Sequence, residues 1–409
     1  MQDEATAILT TVLESGGLRL ESMTLDRVEG FEAGLRRGYT VSVRDAHGDQ
    51  TRLHCFVEDV SASQAGRAAE GAQAPVVLEP EGEPDSDRRV QVWLYPNDPS
   101  LPALPAATVP AAAEVLMQRL GIADAVDDIE VLSYRPGKRA VARVTSHGVA
   151  RYLKIVRPDK VEALRDLHNA FLAGGLPVPR VLAFSPDGLL LLESALGEVA
   201  ARHLSSLAES DFLSELDRLR VRLAALPLTV PSRPGPMERY EWYCEQLRLL
   251  LPEQRDRINA IEAGIHHVLT SVAPEHTSRH GDLHLEQVMV NPANPGEIIG
   301  LIDLDTAGLG DPASDTAGFF AELQRRSFVA RAEDHRAVAV GAEALAVQAA
   351  QIWSAQPGWR AGVAAHLVAH ALTPASLPES QPLALQLLKA AECALNPAVQ
   401  FDAASLIAG

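Results

Sequence analysis

The stretch Ser278 to Asn291, SRHGDLHLEQVMVN, decides how this chain is read. It sets Asp282 between His280 and His284 and then runs directly into apolar residues. The same tripeptide occurs earlier, as His47-Gly48-Asp49 in RDAHGDQTRL. There, two alternating runs flank DAHGDQ, whose Gly and Asp content is that of a hairpin turn, so the early copy reads as a turn. In the late copy, His280 and His284 have the spacing of metal ligands on a helix, but Gly281 works against a helix. VMV and EIIGLIDLD read instead as two short strands joined by NPANPGE. A catalytic loop closed by a hairpin follows: Asp282 near a strand mouth, Gln287 five residues on, and Asp303 at the end of the next strand. One carboxylate near a substrate hydroxyl, with an amide and a second carboxylate offering oxygens to a hard cation, is what phosphoryl transfer to an alcohol requires.

The bulk properties narrow the alternatives. With 409 residues the chain is too long for one ordinary core, and 47% hydrophobic and 22% charged residues describe an ordinary globular protein. The first residues, MQDEATAILTTVLESG, carry acids where a signal peptide carries bases, and about 18 apolar residues nowhere run together, so a cytoplasmic location and no membrane partner are expected. Cys55, Cys244 and Cys393 lie far apart and form neither a disulfide framework nor a metal cluster. A net charge of −18 argues against nucleic acid as a partner. It does not identify a cationic substrate, because residues 1–110 hold 18 acids and 9 arginines, half of the excess. Oligomeric state is not legible.

Organisation changes along the chain. Residues 1–110 offer an amphipathic stretch around Ala5–Glu14, two strands around DAHGDQ, a mobile loop or linker at about 61–88 broken by a short strand, and one more strand before a proline-rich passage. A helix begins around Ala111–Leu120. Three alternating strands are then expected at Ile129–Tyr134, Ala140–Val144 and Ala150–Val156, a helix at Asp159–Ala173, and two more strands in LPVPRVLAFSPDGLLLLESALGE. After Leu204 the pattern is helical, over Phe212–Ala225, Glu238–Val272, Ala330–Ala355, Arg360–Leu372 and Leu383–Leu395, except around the motif.

Lysine is scarce, four residues against 32 arginines, so Lys154 in ARYLKIV attracts notice. In an apolar strand it either snorkels to solvent or grips phosphate. The turn YRPGKRA, with Gly137, Lys138 and Arg139, is either a solvated hairpin tip or a nucleotide-phosphate loop. In ERYEWYCEQ, Glu241 and Trp242 either pack a helix face or line a sugar or cation pocket.

With YRPGKRA, YLKIV, LPVPRVLAF, HGDLHLEQVMV and IIGLIDLDTAGLGDPASDTAGF in that order, residues 115–400 resemble the aminoglycoside phosphotransferase and choline kinase family. The segment HGDLHLEQV is also similar to the maltokinase branch. The resemblance implies an α+β, protein-kinase-like fold of two lobes: an N-terminal α/β cap over 1–110, a sheet lobe over 111–196 and a helical lobe over 197–409. It implies that Asp282 orients or deprotonates the acceptor hydroxyl, that Lys154 holds the α/β-phosphates, that Asp303 binds magnesium with Gln287, and that the backbone of Glu193, Ser194 and Ala195 meets adenine. Glu162 is the acid preferred as the partner of Lys154, over Asp166. Asp311 is expected to cap a helix, Asp315 to brace the catalytic loop, and His280 to be scaffold. Gln287 stands where the family has asparagine, and Glu286 where a small residue is usual. The expected activity is ATP- and magnesium-dependent phosphorylation of a hydroxyl on a sugar or amino sugar. An aminoglycoside or amino alcohol is the runner-up acceptor, and a nucleotide-binding pseudokinase the reading from another class.

Overall fold

The structure is a computed structural model describing residues 2–31, 34–79, 87–122, 125–273 and 275–401. It comprises two compact units, Met1–Arg165 with Val181–Ser194, and Asp166–Arg180 with Ala195–Gly409.

The first unit contains two antiparallel sheets. Helix α1 (Gln2–Ser15) precedes strands β1 (Arg19–Phe31), β2 (Gly34–Arg44), β3 (Gln50–Ser61), β4 (Val76–Leu78) and β5 (Arg88–Leu94), ordered β1-β2-β3-β5-β4. The helix buries Ala5, Leu9, Val12 and Leu13 on Tyr39, Val41, Val43, Cys55, Val57, Val90 and Val92. The helical spacing of the first set and the two-residue period of the second bring one face of each element together. Strand β1 has no counterpart in the sequence reading. It is an edge strand, exposed along almost its whole length and bulged twice, so it lacks the alternation that reveals a half-buried strand. The early His47-Gly48-Asp49 lies in the β2–β3 turn, where the Asp45 carboxylate accepts from the N–H groups of His47 and Asp49. Of the expected 61–88 loop, residues 80–86 lie outside the described residues, and β4 is the short strand within it.

Helix α2 (Pro110–Arg119) leads to the second sheet: β6 (Asp128–Arg135), β7 (Arg139–Ser146), β8 (Val149–Val156), then α3 (Pro158–Ala173), β9 (Val181–Ser185) and β10 (Leu189–Glu193), ordered β6-β7-β8-β10-β9. Leu101, Leu104, Ala107 and Met117 cover the inner face of this sheet, closing over Ala140, Ala142, Leu153, Ile155 and Leu191.

The second unit is mainly helical. It contains β11 (Glu198–Val199), α4 (Leu204–Ala208), α5 (Phe212–Ala224), α6 (Pro236–Leu250), α7 (Arg255–Ser271), β12 (Thr277–Arg279), the hairpin β13 (Val288–Asn291) and β14 (Asn294–Leu301), β15 (Gly308–Gly310), and helices α8 (Ala313–Ala332), α9 (Arg336–Trp353), α10 (Trp359–Ala375) and α11 (Gln381–Leu395). Two helical stretches are broken where the sequence reading ran them on. Glu238–Val272 divides at Leu251-Pro252, because proline lacks the N–H and disfavours helix in the residue before it. Ala330–Ala355 divides at Glu333–His335, where Asp334 takes a φ of 58°. Among the described residues no helix is long and apolar enough to cross a membrane.

One histidine of this unit carries a stability prediction. Burial, reinforced by the charges of His370 and Arg279, pushes His366 down to about 3, and its Nε2 is buried with no hydrogen-bond partner among the described residues. The unfolded chain takes up that proton below about pH 6.5 and the folded chain does not. Its contribution to stability is therefore full above that pH and is lost as pH falls toward 3, by at most about 1.4 kcal/mol per pH unit. Urea midpoints measured between pH 7 and 4 should fall more steeply for wild type than for His366→Leu; equal slopes would remove His366 as the cause.

Candidate active site

In the second unit, β12 delivers the chain into His280-Gly281-Asp282-Leu283-His284, followed by one 3-10 turn, Leu285–Gln287, and β13. Gly281 has a φ of 83°, and a Cβ there would lie 2.5 Å from the Thr306 carbonyl oxygen, so only glycine fits. The Asp315 carboxylate, in the first turn of α8, accepts from the N–H groups of His280 (2.7 Å) and Gly281 (2.8 Å), as expected of a brace. His280 is fully buried; its Nε2 donates to the Ile302 carbonyl (2.9 Å), and its own carbonyl accepts from the Thr306 hydroxyl (2.9 Å). These bonds make His280 scaffold. Asp311 caps α8 by accepting from Ala313 N–H (2.8 Å). Burial raises its carboxyl above the usual range, partly opposed by that bond and by Arg279.

Leu283 and Leu285 are buried, so the loop is anchored by apolar side chains on either side of its polar ones. Asp282 projects between these fixed points with its side chain 56% exposed. His284 Nδ1 accepts from Glu286 N–H (3.2 Å). Its Nε2 lies 3.3 Å from the Gln287 amide nitrogen and 3.8 Å from the Asp282 carboxylate.

The hairpin brings Gln287 and Asp303 to one end. Val288 pairs with Leu301, and one residue further out Ile302 N–H donates to the Gln287 carbonyl (2.9 Å). Asp303 follows in the left-handed region, φ 60° and ψ 66°, a conformation that costs a non-glycine residue energy and concentrates at functional sites. Glu286 is fixed by Arg326 of α8 at 2.6 Å, which accounts for an acid where a small residue was expected.

In the first unit, Lys154 is central in β8, registered between Val141 of β7 and Leu190 of β10 and only 6% exposed. The snorkelling alternative is thereby removed, since a buried ammonium requires partners within the protein. Glu162 and Asp166 are both exposed on α3. The turn Arg135–Arg139 joins β6 to β7, with Gly137 at φ 66° and Lys138 exposed. Arg135 and Lys138 are exposed, but the backbone of the turn is engaged: Pro136 is buried, and the Gly137 N–H donates to the Asp98 carboxylate at 2.7 Å. Glu193 closes β10 opposite Arg151. Ser194 is the last residue of the first unit, and from Ala195 the chain belongs to the second.

Trp242 and Glu241 lie on the outer face of α6, opposite the buried Tyr240, Cys244 and Leu247. Trp242 is 42% exposed, with the Arg239 guanidinium 4.7 Å from its ring centre. Together with Glu245, Arg248 and Glu262 the two residues line a concavity of about 650 Å³.

Residues 136–362, more than half of the chain, match the phosphotransferase enzyme family. The chain belongs to that family. Lys154, Asp282, Gln287 and Asp303 of this phosphotransferase all fall within the matched segment. Solved structures similar to it include aminoglycoside phosphotransferase APH(3'')-Id from Streptomyces rimosus, 25% identical, covering 66% of this chain and 99% of that one with a TM-score of 0.44. A ternary complex of a thermostable mutant of APH(4)-Ia with ADP and hygromycin B is 17% identical, covering 69% and 97%, TM-score 0.46. The GDP and kanamycin complex of APH(2'')-IIIa is 12% identical, covering 68% and 98%, TM-score 0.48. No curated protein gives a significant match.

The sequence reading passed over Asp98, Arg36 and Arg279. Asp98 lies between two prolines in a stretch whose only local signal is irregular backbone. Arg279 is buried and binds the Ser232 hydroxyl (2.8 Å) and Glu238 (2.6 Å), tying the strand before the catalytic loop to the start of α6.

Proposed function

We propose that the phosphotransferase transfers the terminal phosphoryl group of ATP to a hydroxyl of a sugar or amino sugar, with magnesium. The reading is carried by one observation: Asp282 is exposed on a loop whose backbone is fixed by Asp315, Gly281 and two buried leucines. An exposed carboxylate on a rigid support suits a group that must meet an incoming hydroxyl. Asp282 holds the acceptor by its O–H and takes up the proton as the oxygen forms its bond to phosphorus and the bond to ADP breaks. His284 stands beside this carboxylate, its Nε2 3.8 Å away. Lys154 neutralises the α/β-phosphates, and the Glu193–Ala195 backbone receives adenine.

The donors at the hairpin end fit magnesium. Gln287 and Asp303 both offer oxygen, and among the described residues no cluster of three or more His, Cys, Asp or Glu side chains competes as a metal site. A bound magnesium ion supplies charge neutralisation at the phosphate oxygens. For the acceptor, Trp242 offers an aromatic face and Glu241, Glu245 and Glu262 accept hydrogen bonds from hydroxyl or ammonium groups.

ADP release should be measured with ATP and magnesium across sugars, amino sugars and aminoglycosides. The reading expects a sugar or amino sugar to give the highest kcat/KM, and Trp242→Ala to raise the KM for that acceptor by about ten-fold, the equivalent of one lost aromatic contact. Turnover confined to aminoglycosides would overturn the acceptor class. No acceptor-stimulated ADP release at all would leave a nucleotide-binding protein without transfer activity.

A further inference from the structure

The N-terminal segment ahead of the matched family residues reaches the Arg135–Arg139 turn through a buried polar chain within the first unit. Gly66 N–H donates to Gln91 Oε1 (3.1 Å), and Gln91 Nε2 donates to Glu58 Oε2 (2.5 Å). Glu58 Oε1 accepts from Arg36 Nε, and Arg36 Nη1 donates to the Pro136 carbonyl at 2.5 Å. Asp98 closes the other side. Its Oδ2 accepts from Gly137 N–H (2.7 Å) and from the Tyr134 hydroxyl (2.8 Å), and its Oδ1 from Ser100 N–H (2.8 Å). Arg36, Glu58, Gln91 and Asp98 are all buried, Asp98 to 1% exposure. The contact with the turn is close: a Cβ on Gly137 would lie 2.6 Å from Arg36 Nη2. Aromatic rings pack beside it, Phe56 stacked on Trp93 at 4.2 Å, and Tyr95 5.1 Å from Tyr134.

Two features mark this as more than an ordinary core. Buried charges cost free energy unless fully paired, and an apolar junction of the same shape would hold the segment equally well. The bonds also converge on the backbone of one turn, engaging the Pro136 carbonyl and the Gly137 N–H together.

We infer that Asp98 and Arg36 are positioning residues of the nucleotide site, holding the Arg135–Arg139 turn in one conformation before ATP arrives. This rests on the ATP reading above. A turn ordered in advance loses less conformational entropy when it closes on phosphate, so the clamp acts on nucleotide affinity. It touches neither the acceptor nor the reacting atoms, so it leaves kcat and acceptor KM in place. The Gly137 N–H, already donated to Asp98, is not a phosphate ligand.

The test compares wild type, Asp98→Asn and Tyr134→Phe in the full chain, by calorimetry with ATP and magnesium, by steady-state kinetics, and by amide exchange of the 134–139 segment. Asp98→Asn cannot accept from all three donors. It should raise the Kd and KM for ATP by about ten-fold, as expected for one lost hydrogen bond to a charged group, with kcat and acceptor KM changed by less than about three-fold. Exchange in the turn should accelerate while α1 and β3 keep wild-type rates. Tyr134→Phe retains the ring packing and removes one donor, so it should move the same quantities by a smaller factor even where Asp98→Asn fails to fold. Wild-type ATP affinity in a folded Asp98→Asn, or in Tyr134→Phe with unchanged exchange, would overturn the clamp alone. A wild-type chain that binds no ATP would overturn the nucleotide reading and the clamp with it.

Discussion

Asp282→Asn should lower kcat by about 10²–10⁴-fold, the usual contribution of a positioned acid-base group, while leaving ATP affinity and thermal stability at wild-type values. The split between activity and stability follows from where the side chain stands. Asp282 is more than half exposed, and among the described residues the polar group facing it is His284 at 3.8 Å, beyond hydrogen-bond distance. Asparagine therefore removes a proton acceptor without breaking a bond that holds the loop. Surface substitutions of this kind change stability by no more than about 0.5 kcal/mol. The measurements are ADP release with the best acceptor, calorimetric ATP binding and a urea midpoint. Wild-type turnover would remove Asp282 from the chemistry. Lost turnover with a lowered midpoint would instead place its role in the fold.

Much of this arrangement could be read without coordinates because the motif and its supports are local in sequence. Gly281, the apolar alternation of Val288 and Val290, and the turn-rich NPANPGE dictate a loop and a hairpin through backbone preference alone. Asp315 and Asp311 were legible for the same reason, because Pro312 announces a helix start and carboxylates belong at helix N-termini. The break at Pro252 was visible in the sequence, yet the apolar periodicity of α6 and α7 runs through it. Strand β1 was invisible because an exposed edge carries no buried face to set a period. The junction at the Arg135–Arg139 turn was unreadable for a deeper reason. Arg36 and Pro136 are 100 residues apart, and nothing in the local pattern of either tells a buried, paired arginine from a solvated one. Long-range polar pairing is fixed by tertiary packing, which leaves no periodic trace.

Asp315→Ala is the counterpart of Asp282→Asn, and its expected result is a destabilisation of about 2–4 kcal/mol, because it strands the buried His280 N–H together with the half-buried Gly281 N–H. Asp315 is buried, His280 is fully buried, and the two bonds at 2.7 and 2.8 Å are short enough to be charge-assisted. Activity should fall too, by about 10²-fold, since a loop displaced by roughly 1 Å no longer presents Asp282 where an acceptor oxygen must attack in line. Asp315→Asn should lie between the two, because its single oxygen accepts from one amide and its NH₂ group opposes the other. The urea midpoint is the discriminating measurement. Asp315→Ala lowers it and Asp282→Asn does not, so the two aspartates, 33 positions apart, separate into one that holds the loop and one that works from it. An Asp315→Ala variant with wild-type stability would mean that the two N–H groups find other acceptors, and that the loop's conformation is set by Gly281 and the buried leucines without the brace.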